Sequence, residues 1–169
     1  VIERQQKALE DMLRRRGLGG EIHYTVYPGN WRPVFALPVN KPPVSIVIPT
    51  AGKSATIRNV EVSMIVNCVD SILKNSSYKC IELVVIHNGD LSESDQAFLG
   101  AFDEVKLYEY SATSFNLSEK INLGVERASG EYVMLLNDDT EVITGDWIES
   151  MLRVAQQDDV GAVGGKYFF

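Results

Sequence analysis

From residue 44 onward the sequence alternates short apolar, β-branched runs with longer stretches of helical periodicity, and few architectures accept that alternation. The apolar runs fall at 44–48, 81–86, 105–110, 131–136 and 160–168, the last with glycines inside it. Helical stretches fall between them at 60–73, 92–102, 117–128 and 147–155. Strands that are apolar throughout have no face to give to water, so both faces must be covered. Strands that alternate with helices supply that cover as a parallel sheet with helices on each side. The crossovers of such a sheet are right-handed. The expected fold is therefore α/β and Rossmann-like, a mostly parallel sheet between helical layers.

The preceding residues read differently. An amphipathic helix is predicted over 2–16, stopped by Gly17, Gly19 and Gly20. Strands are predicted over 21–27 and 32–37, with a turn at Pro28-Gly29-Asn30 between them. Pro38, Pro42 and Pro43 mark a boundary. Residues 1–42 then form a helix-strand extension with too little apolar surface to stand alone, and 43–169 form the main domain.

A net charge of −7 argues against nucleic acid as a partner, because phosphate backbones select for clustered cations. The basic run Arg14-Arg15-Arg16 sits where a helix end favours cations. No apolar run approaches the roughly 20 residues that span a bilayer, and the amino-terminal segment lacks the apolar block of a secretory signal. Cys68 and Cys80 have no metal-type spacing and read as free thiols in a reducing compartment. The sequons at Asn75 and Asn116 read as chance matches on this view. The expected location is cytoplasmic, extending to the inner face of the membrane.

In an open parallel sheet, ligands bind beyond the carboxyl ends of the strands. That rule selects residues 49–54, 87–90 and 137–141, each a polar or irregular segment after an apolar run. The third holds Asn137-Asp138-Asp139-Thr140-Glu141. Adjacent carboxylates at a buried strand end repel each other and are costly to desolvate. A divalent cation, Mn²⁺ or Mg²⁺, removes the conflict, since such ions take carboxylate, water and phosphate oxygens. The plain alternative is a solvated turn in which one aspartate caps the following segment. Gly52-Lys53-Ser54 ends like a phosphate-binding loop, but the glycine needed five residues earlier is Val47, and Pro49 removes an amide from the cradle. No G-x-G-x-x-G follows the first strand.

Four segments together resemble the family 2 glycosyltransferases of GT-A fold, in particular bacterial enzymes of cell-surface polysaccharide synthesis. They are Val-Ser-Ile-Val-Ile-Pro-Thr at 44–50, Cys-Val-Asp-Ser-Ile-Leu at 68–73, Glu-Leu-Val-Val-Ile-His-Asn-Gly at 82–89, and residues 115–140 with Phe-Asn-Leu-Ser-Glu-Lys-Ile-Asn-Leu-Gly and Leu-Leu-Asn-Asp-Asp-Thr. The resemblance covers about residues 43–169 and implies the following. The donor would be a nucleoside-diphosphate sugar and the acceptor a glycan or a lipid-linked acceptor, with transfer by inversion. Asp139 would hold the metal against the diphosphate as the last acid of a DxD-type motif. Asp138 would face the ribose or the metal shell, with Asn137 in the first motif position. Pro49 and Thr50 would border the nucleoside, and His87 and Asn88 would form the turn beside the base. Asn122 and Gly124 would belong to a helix packed under the nucleotide.

The sequence departs from the family at two points. His87 stands where the family usually places an aspartate that reads the base, so it either contacts the base with a different donor set or is bonded to backbone. Ile121 stands where an arginine is common. Lys120, one residue earlier, either reaches phosphate or lies on a solvated helix face. Residues 51–66 exceed the usual connection, as a surface insertion or a flap over the donor. The family's catalytic base is expected after the strand at 160–168, so none is assigned, and Asp146, Asp158 and Asp159 lie too early. The chain is thus expected to be the donor half of a longer polypeptide, with the remainder supplying the acceptor half. A non-catalytic binding module of the same fold is the alternative. A sugar nucleotidyltransferase would need a glycine- and arginine-rich loop where 49–53 has none.

Overall fold

The computed structural model describes residues 2–57 and 59–166. The chain divides into two compact units, one of Val1–Lys41 with Ile148–Phe169 and the other of Pro42–Trp147. Among the described residues no helix is long and apolar enough to cross a membrane.

In the first unit, helix α1 (Ile2–Arg15) precedes an antiparallel hairpin of β1 (Gly20–Tyr24) and β2 (Trp31–Phe35). Gly17 ends the helix at a φ of 68°, a left-handed conformation open to glycine at no steric cost. Tyr24 and Trp31 pack edge to face across the hairpin, 4.9 Å apart.

The second unit contains β3 (Val44–Pro49), β4 (Ser54–Ile57), β5 (Val60–Ser63), α2 (Met64–Asn75), β6 (Ile81–His87), α3 (Glu93–Leu99), β7 (Val105–Glu109), α4 (Leu117–Arg127) and β8 (Tyr132–Leu135). Helix α5 (Trp147–Ala155) follows it. The main sheet has the order β7-β6-β3-β8, and every pairing is parallel. The expected α/β architecture with a parallel sheet flanked by helices is therefore present. The chain steps outward from β3 through β6 to β7, then crosses back to place β8 on the other side of β3. Such a reversal opens a crevice at the carboxyl ends of the two strands beside it, here β3 and β8.

The core explains the apolar runs. Ile46, Val47, Ile48, Leu83, Val84, Val85 and Ile86 are all fully buried. Alternation along the strands puts Val47, Val84 and Ile86 on one face, where they cluster with Tyr108, Tyr110 and Leu123. Helix α4 lies there closely enough that a Cβ at Gly124 would stand 2.3 Å from Val47 Cγ1. Glycine in a helix costs about 1 kcal/mol relative to alanine; here it permits the close approach expected of that position.

Two elements differ from expectation. Helix α2 starts at Met64, and residues 60–63 form a strand of the hairpin β4-β5. Val60 and Val62 alternate with Glu61 and Ser63, a strand period, and Asn59 at φ 65° supplies the turn. The long connection is thus a β-hairpin. The fifth strand expected over 160–168 is absent from residues 160–166, which have no regular structure, and residues 167 and 168 lie outside the described residues. A Cβ at Gly161, Gly164 or Gly165 would meet nothing within 4 Å, and glycines without packing neighbours weaken a strand.

The amino ends of the central strands are held by one carboxylate. Ser45, fully buried, donates its hydroxyl to Glu82 Oε1 at 2.5 Å, Ser129 donates its backbone amide to the same oxygen at 2.5 Å, and Gly130 donates its amide to Ser45 Oγ at 2.7 Å. Burial alone would raise the Glu82 pKa; the hydrogen bonds from Ser45, Ser129 and Gly130 outweigh it and hold it below the ordinary glutamate range. A depressed carboxyl stabilises the fold above its unfolded pKa and loses that contribution as the pH falls through the folded one. Glu82→Ala should therefore lower unfolding stability by about 1–3 kcal/mol at pH 7. The gap to wild type should close as urea titrations are repeated down to pH 3.

Candidate functional site

The crevice left by the strand reversal contains a cavity of about 270 Å³. Pro49, Thr50, Lys120, Asn137 and Asp138 line it, together with Ala51, Lys53, Met64, Phe115 and Leu117. Elements distant in sequence thus meet where the sheet topology directs ligands: the end of β3, the start of α4 and the turn after β8.

A hydrogen-bonded chain fixes the inner wall. Lys120 is only 2 % exposed, and its Nζ donates to the carbonyl oxygen of Thr50 and, at 2.9 Å, to Asn88 Oδ1. Thr50, also 2 % exposed, donates its hydroxyl to Asp138 Oδ2 at 2.5 Å and accepts from the Gly52 amide at 3.1 Å. Asn88 in turn donates its backbone and side-chain N–H groups to the two oxygens of Asp90, at 3.1 and 3.2 Å. Burial lowers the pKa of Lys120, while the charges of Asp90 and Asp138 push it the other way. Gly52 has a φ of 60°, and a Cβ there would stand 2.7 Å from the Asp90 carbonyl oxygen, so the loops after β3 and β6 touch backbone to backbone.

Asn116 caps the amino end of α4, accepting from the amides of Ser118 and Glu119, and Lys120 lies one turn before Gly124 on the face packed against the sheet. Asn122 lies two residues on from Lys120, about 200° round the helix, and is exposed, so the structure does not bring it to the cavity. His87 is half-buried at the end of β6, and its Nδ1 accepts from the Gly89 amide at 3.0 Å. Of the two roles open to it, the backbone bond is made. Asn88 is exposed and does not line the cavity, meeting its wall only through Lys120. The phosphate-loop reading of 52–54 fails, because Lys53 leads into strand β4 and no helix amino terminus follows.

The acidic turn is polarised. Asp138 is half-buried on the cavity wall, while Asp139 is exposed and makes no hydrogen bond or ion pair among the described residues. Their joint field reaches the buried thiol of Cys68, whose pKa is pushed up to about 12 by burial first and then by Asp138 and Asp139. No group of three or more His, Cys, Asp or Glu is gathered among the described residues. A hard divalent cation nevertheless fits the donors present, since it is commonly held by one or two carboxylates and completes its shell with water and phosphate oxygens. Residue identity alone did not reveal Met64, Phe115 or Leu117 as cavity lining. Phe115, 69 % exposed in the loop ahead of α4, was the accessible hint, as an unburied aromatic beside a polar crevice.

The model of glycosyl transferase family 2 matches residues 45–169. The protein y4gI of Sinorhizobium fredii is 32 % identical over 99 % of this chain, which spans 18 % of that protein. The O-antigen biosynthesis protein RfbC of Myxococcus xanthus is 29 % identical over 96 % of this chain, which spans 12 % of it. The chain thus covers less than a fifth of either relative. Among solved structures, the mannosyltransferase PcManGT of Pyrobaculum calidifontis, in complex with GDP-Man and Mn²⁺, is similar in fold, with a TM-score of 0.58 at 17 % identity over 71 % of this chain and 34 % of its own.

Thr50→Val keeps the shape of the wall but removes the bond to Asp138 and the acceptor for Gly52. It should cost about 1–3 kcal/mol in urea unfolding at neutral pH. A loss below about 0.5 kcal/mol, the level of an ordinary surface change, would show that this bond does not hold the turn.

Proposed function

We propose that this chain, which belongs to glycosyl transferase family 2, uses its Pro42–Trp147 unit to bind a nucleoside-diphosphate sugar with the help of a divalent cation. In the longer proteins that carry such a domain, the sugar would pass by direct, inverting displacement to a glycan or lipid-linked acceptor. The observation that carries the reading is the half-buried Asp138 at the strand reversal, beside Thr50 and Lys120 and next to the exposed Asp139, which has no partner among the described residues. O-antigen biosynthesis in the name of one relative supports a polysaccharide setting. The GDP-Man and Mn²⁺ in the mannosyltransferase of similar fold support the donor class.

Asp139 and the free oxygen of Asp138 would hold Mn²⁺ or Mg²⁺. Such an ion, when bound, offsets the charge that grows on a departing diphosphate. The chain's own groups then have distinct tasks. Thr50 fixes the rotamer of Asp138 through its hydroxyl and so aims the other carboxylate oxygen. Lys120 brings positive charge to the phosphate side of the cavity while holding the Thr50 carbonyl and Asn88 in place. Pro49 and Asn137 border the nucleoside, and Phe115, Leu117 and Met64 offer an apolar wall that excludes water from one side of it. His87, with Nδ1 occupied by Gly89, has only Nε2 left for a base edge. The second reading, a non-catalytic nucleotide-binding or interaction module of the same fold, rests on the departures from the family at His87 and Ile121. The proposed location is the cytoplasm or the inner face of the membrane.

Calorimetric titration of the chain with UDP and GDP, with and without Mn²⁺, tests the proposal. At least one diphosphate should bind more tightly with Mn²⁺ present. Asp139→Ala should weaken that binding about tenfold or more, the equivalent of one charge-assisted contact. Equal binding by Asp139→Ala would remove the metal from the account.

A further inference from the structure

The acidic turn does not hold itself. From Asn137 to Gly145 the chain is irregular, yet Val142 is buried, and buried backbone groups outside regular structure need partners. They find them on one stripe of α2. The Val142 amide donates to Ser71 Oγ at 3.0 Å, and Asn75 Nδ2 donates to the Val142 carbonyl at 2.8 Å. Residues 71 and 75 are one helical turn apart on the same face, so the two side chains grip both polar groups of a single residue. Three residues before Ser71, the Cys68 thiol points to the Asn137 carbonyl oxygen at 3.7 Å. Beyond the helix end, Ser77 donates its amide and hydroxyl to the Gly145 carbonyl at 2.9 and 2.8 Å, and Trp147 Nε1 donates to Ser76 Oγ at 2.8 Å.

The other end of the turn is equally fixed, since the Leu136 amide donates to the Val47 carbonyl at 3.0 Å. Only five residues, 137–141, lie between these anchors, with Asp138 and Asp139 among them. Thr140 Oγ1 closes the span on the Asn137 carbonyl at 2.6 Å. A carboxylate pair bracketed this tightly has few directions open to it, and preorganisation of ligand groups is what support from neighbouring side chains achieves.

We infer that Ser71 and Asn75 are positioning residues: they clamp Val142 and thereby fix where the Asp138-Asp139 carboxylates present their oxygens to a cation. This rests on the cation-assisted nucleotide reading above. Asn75 serves as the probe because it is exposed, so Asn75→Ala leaves the core intact, and Asn75→Asp keeps its size while replacing the donor with an acceptor facing the Val142 carbonyl.

The experiment measures UDP and GDP affinity by calorimetry with and without Mn²⁺, alongside the melting temperature, for wild type and both variants. The ratio of affinity with Mn²⁺ to affinity without it should drop about tenfold in Asn75→Ala and in Asn75→Asp. Metal-free affinity should stay within about twofold, because Pro49, Thr50 and Lys120 are untouched. An unchanged ratio in the variants, or a loss shared equally by metal-free and metal-bound affinity, would overturn the positioning role while leaving the nucleotide reading in place. A wild-type chain with no Mn²⁺-dependent gain would overturn both.

Discussion

The site depends on one buried cation. Lys120 has almost no contact with water, and an ammonium in that state is tolerated only where oxygen acceptors replace its hydration. The carbonyl of Thr50 and the amide oxygen of Asn88 do so, and the nearby charges of Asp90 and Asp138 counter the burial that drives its pKa down. The same bonds tie the start of α4 to the loops after β3 and β6. Thr50, held from its backbone by Lys120, is free to use its hydroxyl on Asp138. A residue that satisfies its own desolvation thus sets the shape of the inner wall.

Around that wall the fold supplies rigidity at two levels. The central strands β3 and β6 are buried on both faces, and Gly124 lets α4 approach Val47 and Ile86. Their carboxyl ends therefore have little freedom to move. The turn after β8 has no strand geometry of its own, and its backbone leans on Ser71 and Asn75 instead. Side chains that must carry charge in a cleft are held by groups that must themselves be satisfied. The cost of leaving those groups unpaired, about 1–3 kcal/mol each, is what keeps the arrangement in one state.

Much of this was legible in the sequence, and the reasons are specific. Runs such as Ile81–His87 have no polar face, which forces a doubly covered parallel sheet, and the rule that ligands gather at strand ends then selected Thr50 and Asp138. Gly124 announced close packing because glycine is otherwise unfavourable in a helix. Other features could not be read locally. Lys120 looks like any lysine on an amphipathic helix until tertiary contacts bury it. Asn122 shares that helix, and the packing of Gly124 on Val47 and Ile86, one turn after Lys120 on the same face, decides which of the two faces the cavity. In sequence, residues 60–63 read as part of the following helix, because apolar residues at 60, 62 and 65 suit either period over so short a span. The apolar residues over 160–168 predict a strand, but Gly161, Gly164 and Gly165 have no packing neighbours to hold one. Both sequons fall on side chains with structural duties, Asn75 on Val142 and Asn116 as a helix cap.

The central claim is that the oxygens beside Thr50 and Asp138 receive a cation together with a nucleoside diphosphate. Paramagnetic line broadening reports that position directly: Mn²⁺ is added in trace amounts to the isotopically labelled chain in the presence of UDP or GDP, and amide signals are followed residue by residue. Selective loss of the signals of Thr50, Ala51, Asp138 and Asp139, with those of Ser129 and Gly130 at the amino ends of the strands preserved, is the predicted result. Broadening centred elsewhere, or spread evenly over exposed carboxylates, would contradict the account.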